Sequence, residues 1–378
     1  MKLSGRLLGT WAFFLFSAYA SAQNSGGFGA AVRGVSRLLY VADASGISVY
    51  DINDGHKLLR KIDVPDSGDY KGIAASPQLH KLYITSYKQD ELICLDLLTE
   101  KIDWRKHLGD YADSMQVMPD GMSMYLPFRN EAYWKVVDAK TGDATATIET
   151  EHGKNYDVHP IANPVGPHNT WLNPSGSRAY LEVLTVPYVR VVDTKTNQVI
   201  GKVGPFSKGV RPFAVSNDDR LMYANVDGLL GFEIATIDKD GRGGKMIYRA
   251  EVQTPPERLA EVPNPPAHRP HSTPSHGLNL SKDQKEIWLA DSTFGEIYVF
   301  NVHSKPPKQI AAIPLAAKPS DQPHPGWISF GIDGRYAYPD GGAVIDVKTK
   351  KIVARIPTSE KLLEVDYRNG KPVAASHR

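Results

Sequence analysis

The sequence predicts an all-β protein, a seven-bladed β-propeller closed by its C-terminal strand, and three observations carry that prediction. Seven aromatic anchors, Tyr40, Tyr83, Tyr125, Tyr180, Tyr223, Trp288 and Tyr338, end the strand phrases LYVAD, LYITS, MYLPF, AYLEV, MYANV, IWLAD and AYPDG. Their spacings of 43, 42, 55, 43, 65 and 50 residues match the period of one propeller blade. A third strand then recurs as VYDINDG, CLDLLTE, VVDAKTG, VVDTKTN, TIDKDGR, VFNVHSK and VIDVKTK, its Asp or Asn followed by turn formers, as suits a side chain that accepts from its own backbone. Finally, 32 Gly and 27 Pro supply turns for many short strands, and 41% hydrophobic residues supply a core.

The elements follow in order. Residues 1–22 have the form of a signal peptide: Lys2 and Arg6, an apolar stretch from Leu7 to Ala18, and a small-x-small cleavage site at Ala20-Ser21-Ala22. Residues 23–378 are expected to form a single propeller domain. Each unit runs as an inner strand, a turn, the anchor strand, a turn, the third strand and an outer strand such as TATIE, QVIGKV or KIVARI, which alternate with period 2. The first unit lacks a patterned inner strand, because GGFGAAVRG precedes Tyr40, while LLEVDY near the C-terminus is a strand without a unit. Residues 363–367 are therefore expected to complete the first blade, which removes exposed sheet edges.

The phrases SPQLHKLYITS, NPSGSRAYLEV with VVDTKTNQVIGKV, and LSKDQKEIWLADS resemble those of the YVTN-repeat propellers, which include the YncE-type periplasmic proteins. The resemblance runs from about Val35 to Tyr367; the literal four-letter signature is absent, and the third and fifth units diverge most. It implies the fold and an exported, periplasmic setting. Activity does not follow from it, because propellers host many functions.

Composition narrows the partners. Without Lys2 and Arg6 the chain carries 42 basic and 42 acidic residues, so it lacks the net-basic character that general nucleic-acid affinity requires. No stretch approaches the ~20 apolar residues of a membrane span. Cys94, in LICLDL, is the only cysteine, so an intramolecular disulfide is excluded and the residue is expected as a buried small hydrophobe. A periplasmic or secreted monomer is the expectation, with a small-molecule or envelope ligand, or a protein, as partner.

Chemistry is expected where the inner strands begin. Twelve residues before each anchor from the second onward stand Lys71, Asp113, His168, Arg211, His276 and Gly326, and in a propeller these ring one mouth of the central tunnel. Seven of the twelve histidines, His152, His159, His168, His268, His271, His276 and His324, fall in the connections before units four, six and seven. Imidazole is a favoured ligand of copper, iron and zinc. His168, His276 and His324 are accordingly the candidate metal set, with His159 or His271 as a fourth ligand and Cu, Fe or Zn as the cofactor. Solvated or carbonyl-bonded histidines are the alternative.

Lys71, Asp113, Arg211, Asp291 and Trp327 are the candidate ligand-binding residues. Arg211 is expected either to clamp a carboxylate or phosphate or to pair with Asp113 or Glu182. Asp291 and Asp340 fit a cation site, the orienting of a histidine, or turn capping. Trp171 and Trp327 fit the core or a stacking platform. No G-x-S-x-G elbow, P-loop, HExxH phrase or dinucleotide fingerprint is present. Three functions fit: a binding propeller of the YncE-like kind, a metal-dependent periplasmic oxidoreductase, and a uronate-type polysaccharide lyase using His276, Arg211 and Tyr70.

Overall fold

In a computed structural model the described residues are 34–43, 46–151, 166–254, 274–316, 323, 325–357 and 361–377. They belong to one compact unit, Ala31–Arg378, and the signal peptide expected at 1–22 lies outside them. The strands arrange as seven antiparallel sheets, six of four strands and one of five.

The first blade contributes β1 (Val35–Asp43), β2 (Gly46–Asp51) and β3 (Lys57–Ile62); the second has β4 (Tyr70–Ser76), β5 (Lys81–Ser86), β6 (Glu91–Asp96) and β7 (Ile102–His107). The third consists of β8 (Gln116–Val117), β9 (Ser123–Phe128), β10 (Tyr133–Asp138) and β11 (Ala144–Glu149), and the fourth of β12 (Pro167–Leu172), β13 (Arg178–Val183), β14 (Val189–Asp193) and β15 (Gln198–Val203). In the fifth are β16 (Val210–Val215), β17 (Leu221–Val226), β18 (Gly231–Thr236) and β19 (Met246–Glu251); in the sixth, β20 (Ser275–Leu280), β21 (Glu286–Asp291), β22 (Glu296–Asn301) and β23 (Lys308–Pro314). The seventh holds β24 (Ile328–Phe330), β25 (Tyr336–Pro339), β26 (Ala343–Asp346) and β27 (Lys351–Arg355). β28 (Lys361–Arg368) and β29 (Lys371–Ala375) then return to the first sheet, whose order is β29-β28-β1-β2-β3.

The burial pattern of each strand reports its place. Second strands such as β5 and β13 are buried at nearly every position, because neighbouring blades cover both faces. Outer strands such as β27 alternate exposed and half-buried residues, the period of a sheet with one wet face.

The anchors explain the repeat. Tyr83, Tyr125, Tyr180, Tyr223, Trp288 and Tyr338 each pair across the sheet with the residue nine positions earlier: Ala74, Gln116, Trp171, Ala214, Asn279 and Ser329. Their rings are buried between blades, and four of the polar tips reach the next blade. Tyr83 Oη donates to the Ala139 carbonyl of the next blade (2.6 Å), Tyr125 Oη to Asn197 (2.7 Å) and Tyr180 Oη to Asp219 (3.2 Å). Tyr338 Oη shares a hydrogen bond with His56 Nε2 of the first blade (2.9 Å). The third-strand carboxylates cap their turns: Asp138 Oδ1 accepts from the backbone of Lys140 and Thr141 (both 2.8 Å), and Asp96 and Asp193 do the same two and three residues on. Cys94 is buried without a disulfide, packed with Tyr83 and Trp104.

Ring closure is the expected one. β28 pairs antiparallel with β1 from Val35↔Arg368 to Ala42↔Lys361, and Arg37 Nε bonds the fully buried Glu364 (2.7 Å) while its Nη1 reaches Asp333 of the seventh blade (2.6 Å). The sequence reading did not foresee β29, a fifth strand that turns back along β28 from Arg368↔Lys371 to Val365↔Ala375 and carries Ser376 and His377 into the tunnel. Among the described residues no helix is long and apolar enough to cross a membrane.

Candidate functional site

Four of the six positions twelve residues before the anchors coincide with β-bulges. In β4 the pairing steps from Tyr70↔Ser86 to Gly72↔Thr85, so Lys71 is the extra residue; in β12 the steps Pro167↔Val183 and Asn169↔Glu182 leave His168 extra. In β16 Arg211 and Pro212 stand against one residue of β17, and in β20 His276 and Gly277 stand against one residue of β21. A bulge bends the strand and re-aims the side chain it carries. The same device thus presents Lys71, His168, Arg211 and His276 at one end of the tunnel, here called the upper mouth.

Three of the expected residues meet there from three blades. The His168 and His276 rings lie 5.7 Å apart, and the Trp327 ring lies 5.7 Å from the first and 5.2 Å from the second, edge-on. His276 Nδ1 donates to the Gly326 carbonyl (2.8 Å), which fixes the proton on that nitrogen and, in the neutral ring, the lone pair on Nε2. The Nδ1 side of His168 faces Glu182 Oε2 (3.1 Å) and the Asn169 side-chain amide (2.6 Å). Its Nε2 side faces Asp113 Oδ2 (3.9 Å). Asp340 Oδ1 accepts from the backbone of Gly326 (2.9 Å) and Trp327 (2.8 Å), so this carboxylate sets the backbone that receives the His276 proton. Lys361, from β28, places its ammonium 4.5 Å from the Trp327 ring centre, a cation–π contact.

Other expected residues sit differently. Arg211 pairs neither with Asp113 nor with Glu182 but with Asp227 of its own blade (Nε–Oδ1 2.5 Å), which the second-to-third strand turn brings closer. Asp113 takes Arg129 (3.4 Å) and the Tyr87 hydroxyl (3.3 Å) instead. Lys71 pairs with Asp69 (2.6 Å) over the Tyr87 ring. Asp291 is fully buried and caps the turn at Thr293 (2.6 Å), the turn-capping alternative for this residue. Tyr70 lies in the core between the first two blades, bonded to Ser67, and does not join His276 and Arg211. Trp171 is half-buried, packed against the cores of the neighbouring blades. His324, His152, His159, His268 and His271 lie outside the described residues. Among the described residues no group of three His, Cys, Asp or Glu converges as metal ligands.

Sequence reading missed Tyr87 and Arg129. Both stand four residues past their anchors, as Asp227 does, so a second ring at the second-to-third strand turns was the available signal.

A buried carboxyl, that of Glu182, gives the site its electrostatics. Burial, against a weaker opposing pull from the Asn169 amide and the Arg211 charge, pushes Glu182 from 4.5 up to about 8. Its Oε1 finds no hydrogen-bond partner among the described residues. Burial likewise lifts Asp291 to about 7. The folded chain therefore holds a proton on Glu182 that the unfolded chain releases above its ordinary value, so stability falls as pH rises through the window from about 4.5 to 8. Glu182→Gln is expected to remove that loss. Urea unfolding should show the variant more stable than wild type by roughly 3 kcal/mol at pH 8.5 and nearly equal to it at pH 4.5; equal stability at both pH values would mean that Glu182 is ionised in the folded protein.

The fold and this site define a class: a seven-bladed β-propeller with a polar, histidine-bearing site at one tunnel mouth. No protein-family model and no curated protein matches the sequence. Among solved structures the chain is similar to Kuenenia stuttgartiensis hydrazine synthase, with a TM-score of 0.59 at 16% identity over 84% of this chain and 97% of that one. It is also similar to the beta-propeller domain of Myceliophteria thermophila Cps50 (Swd1), with a TM-score of 0.59 at 10% identity over 83% of this chain and 90% of that one. At these identities the likeness shows the propeller fold alone.

Proposed function

We propose that the protein is an exported, YncE-like binding propeller that holds a small ligand at the upper mouth. One observation carries this reading: His168, His276 and Trp327, from three blades and far apart in sequence, meet with ring centres less than 6 Å apart. A few placed polar groups beside an aromatic wall are the usual composition of a small-molecule site. Lys361 adds positive charge beside the Trp327 ring, and the leader-like residues 1–22 support a periplasmic or secreted location.

A second reading, in which the site takes copper, iron or zinc, is favoured by the hydrogen bond from His276 Nδ1 to the Gly326 carbonyl and by Glu182 Oε2 beside His168 Nδ1 (3.1 Å). Metal-binding histidines usually have their other ring nitrogen held in this way. An ion about 2 Å from each Nε2 stands about 3 Å from each ring centre, a span compatible with the 5.7 Å separation. Bound there, such a metal would act as a Lewis acid or redox centre.

Elemental analysis of protein purified without a histidine tag, followed by copper and zinc titration, separates the readings. Near-stoichiometric metal that falls at least tenfold in a His168→Ala, His276→Ala double variant is expected for the metal site. Metal-free protein with no affinity for either ion leaves the binding propeller as the reading.

A further inference from the structure

We propose that the opposite, lower mouth of the tunnel is a second binding site, for a small organic anion that sets its carboxylate or phosphate between Lys282 and His377 and rests its body against Trp171. The two mouths are separated by the inner strands: His276 is the second residue of β20 and Lys282 lies in the turn that follows the strand, six residues on, or about 20 Å of extended chain. The lower mouth opens into a cavity of about 310 Å³ whose lining includes Gln116, Trp171, Asn217, Lys282, Gln284 and His377, the volume of a small-molecule site.

The charges in this cavity are unbalanced. Lys282 comes from the first turn of the sixth blade, and His377 is carried in by the segment after β29. Neither side chain makes a hydrogen bond or ion pair among the described residues, and both are exposed to the cavity. The surrounding walls, and then the Lys282 charge, hold His377 below the ordinary imidazole value. Burial by the same walls lowers Lys282, opposed only by Glu364. That acid is already committed, accepting from Arg37 (2.7 Å) and from the Ile332 backbone (2.8 Å).

Most of the neutral groups are committed too. Asn173 donates to Asp219 (2.6 Å), Asn279 donates to the Ile328 carbonyl (3.3 Å), and Gln284 accepts from the Asn217 backbone (2.9 Å). Lys282 thus brings a positive charge into the cavity with no acid paired to it, and His377 a ring nitrogen on the same lining; an anion seated there accepts from both, the Lys282 bond being charge-assisted. Trp171, Pro119 and Pro174 supply an apolar wall beside them, which selects an anion with a ring or short apolar body over a bare inorganic ion.

Calorimetric titration of the full chain with benzoate and, separately, with phenyl phosphate tests the site. Saturable one-to-one binding is expected, weakened about tenfold by Lys282→Met and by His377→Gln, kept by Lys282→Arg, and unchanged by His168→Ala at the other mouth. Binding of one probe alone keeps the site and assigns its anion class. Absence of binding by both probes, or binding unaltered in Lys282→Met and His377→Gln variants that melt like wild type, overturns it.

Discussion

A chain lacking residues 360–378 is expected not to fold cooperatively. The deletion removes β28 and with it Leu363, Val365 and Tyr367, all buried in the core shared by the first two blades. At about 2 kcal/mol for each such side chain, the loss is roughly 6 kcal/mol before any hydrogen bond is counted, comparable with the whole stability of many domains. Arg37 would lose Glu364, its fully buried partner, and β1 would be left as an open edge that invites aggregation. Deleting only residues 371–378 removes β29 and leaves the β1–β28 ladder intact, so that shorter truncation should melt cooperatively, a few degrees lower. Circular dichroism melts of the two truncations provide the check; a wild-type melting temperature after the longer deletion would refute closure through β28.

Gly277→Ala should have the second largest effect. Gly277 has φ +92°, and an added Cβ would stand 2.3 Å from the Gly326 carbonyl oxygen and 2.7 Å from Trp327 Cα. Both obstacles are backbone, held by Asp340, so neither can turn aside as a flexible side chain would. The positive φ adds strain for any residue with a Cβ. A destabilisation of about 3–4 kcal/mol is expected in urea unfolding. The same displacement would pull the Gly326 carbonyl away from His276 Nδ1, so ligand or metal affinity at the upper mouth should fall even under conditions where the variant remains folded. A variant as stable as wild type would mean that the sixth and seventh blades do not approach each other at this point.

Both predictions use features that the sequence displayed to different degrees. The anchor spacing displayed the blades, because a cross-strand register of nine residues repeats wherever an aromatic must fill the gap between blades. The orphan strand LLEVDY displayed closure. His168 and His276 were legible as ring positions, since both stand twelve residues before an anchor, and Trp327 as the neighbour of a third such position. Their convergence was not legible, because ring-to-ring distance depends on how blades four, six and seven face one another across the tunnel. Arg211 shows the same limit: its charge was visible, but the choice of Asp227 over Asp113 or Glu182 followed from which turn came nearest. Asp291 was visible as a carboxylate after an anchor, yet only packing showed it to be sealed beneath the surface. The five-residue strand β29 escaped notice because KPVAA carries no alternating pattern and gains its hydrogen bonds only from the exposed side of β28.

By itself the sequence determined the number of blades, the order of their strands and the way the ring closes, since these follow from periodic burial and turn chemistry that act between near neighbours along the chain. Only the tertiary structure decided which charged groups pair, which carboxyls are buried enough to keep a proton, and that Lys282 and His377 share a cavity. Those outcomes depend on distances through space between blades, and a linear pattern carries no record of them.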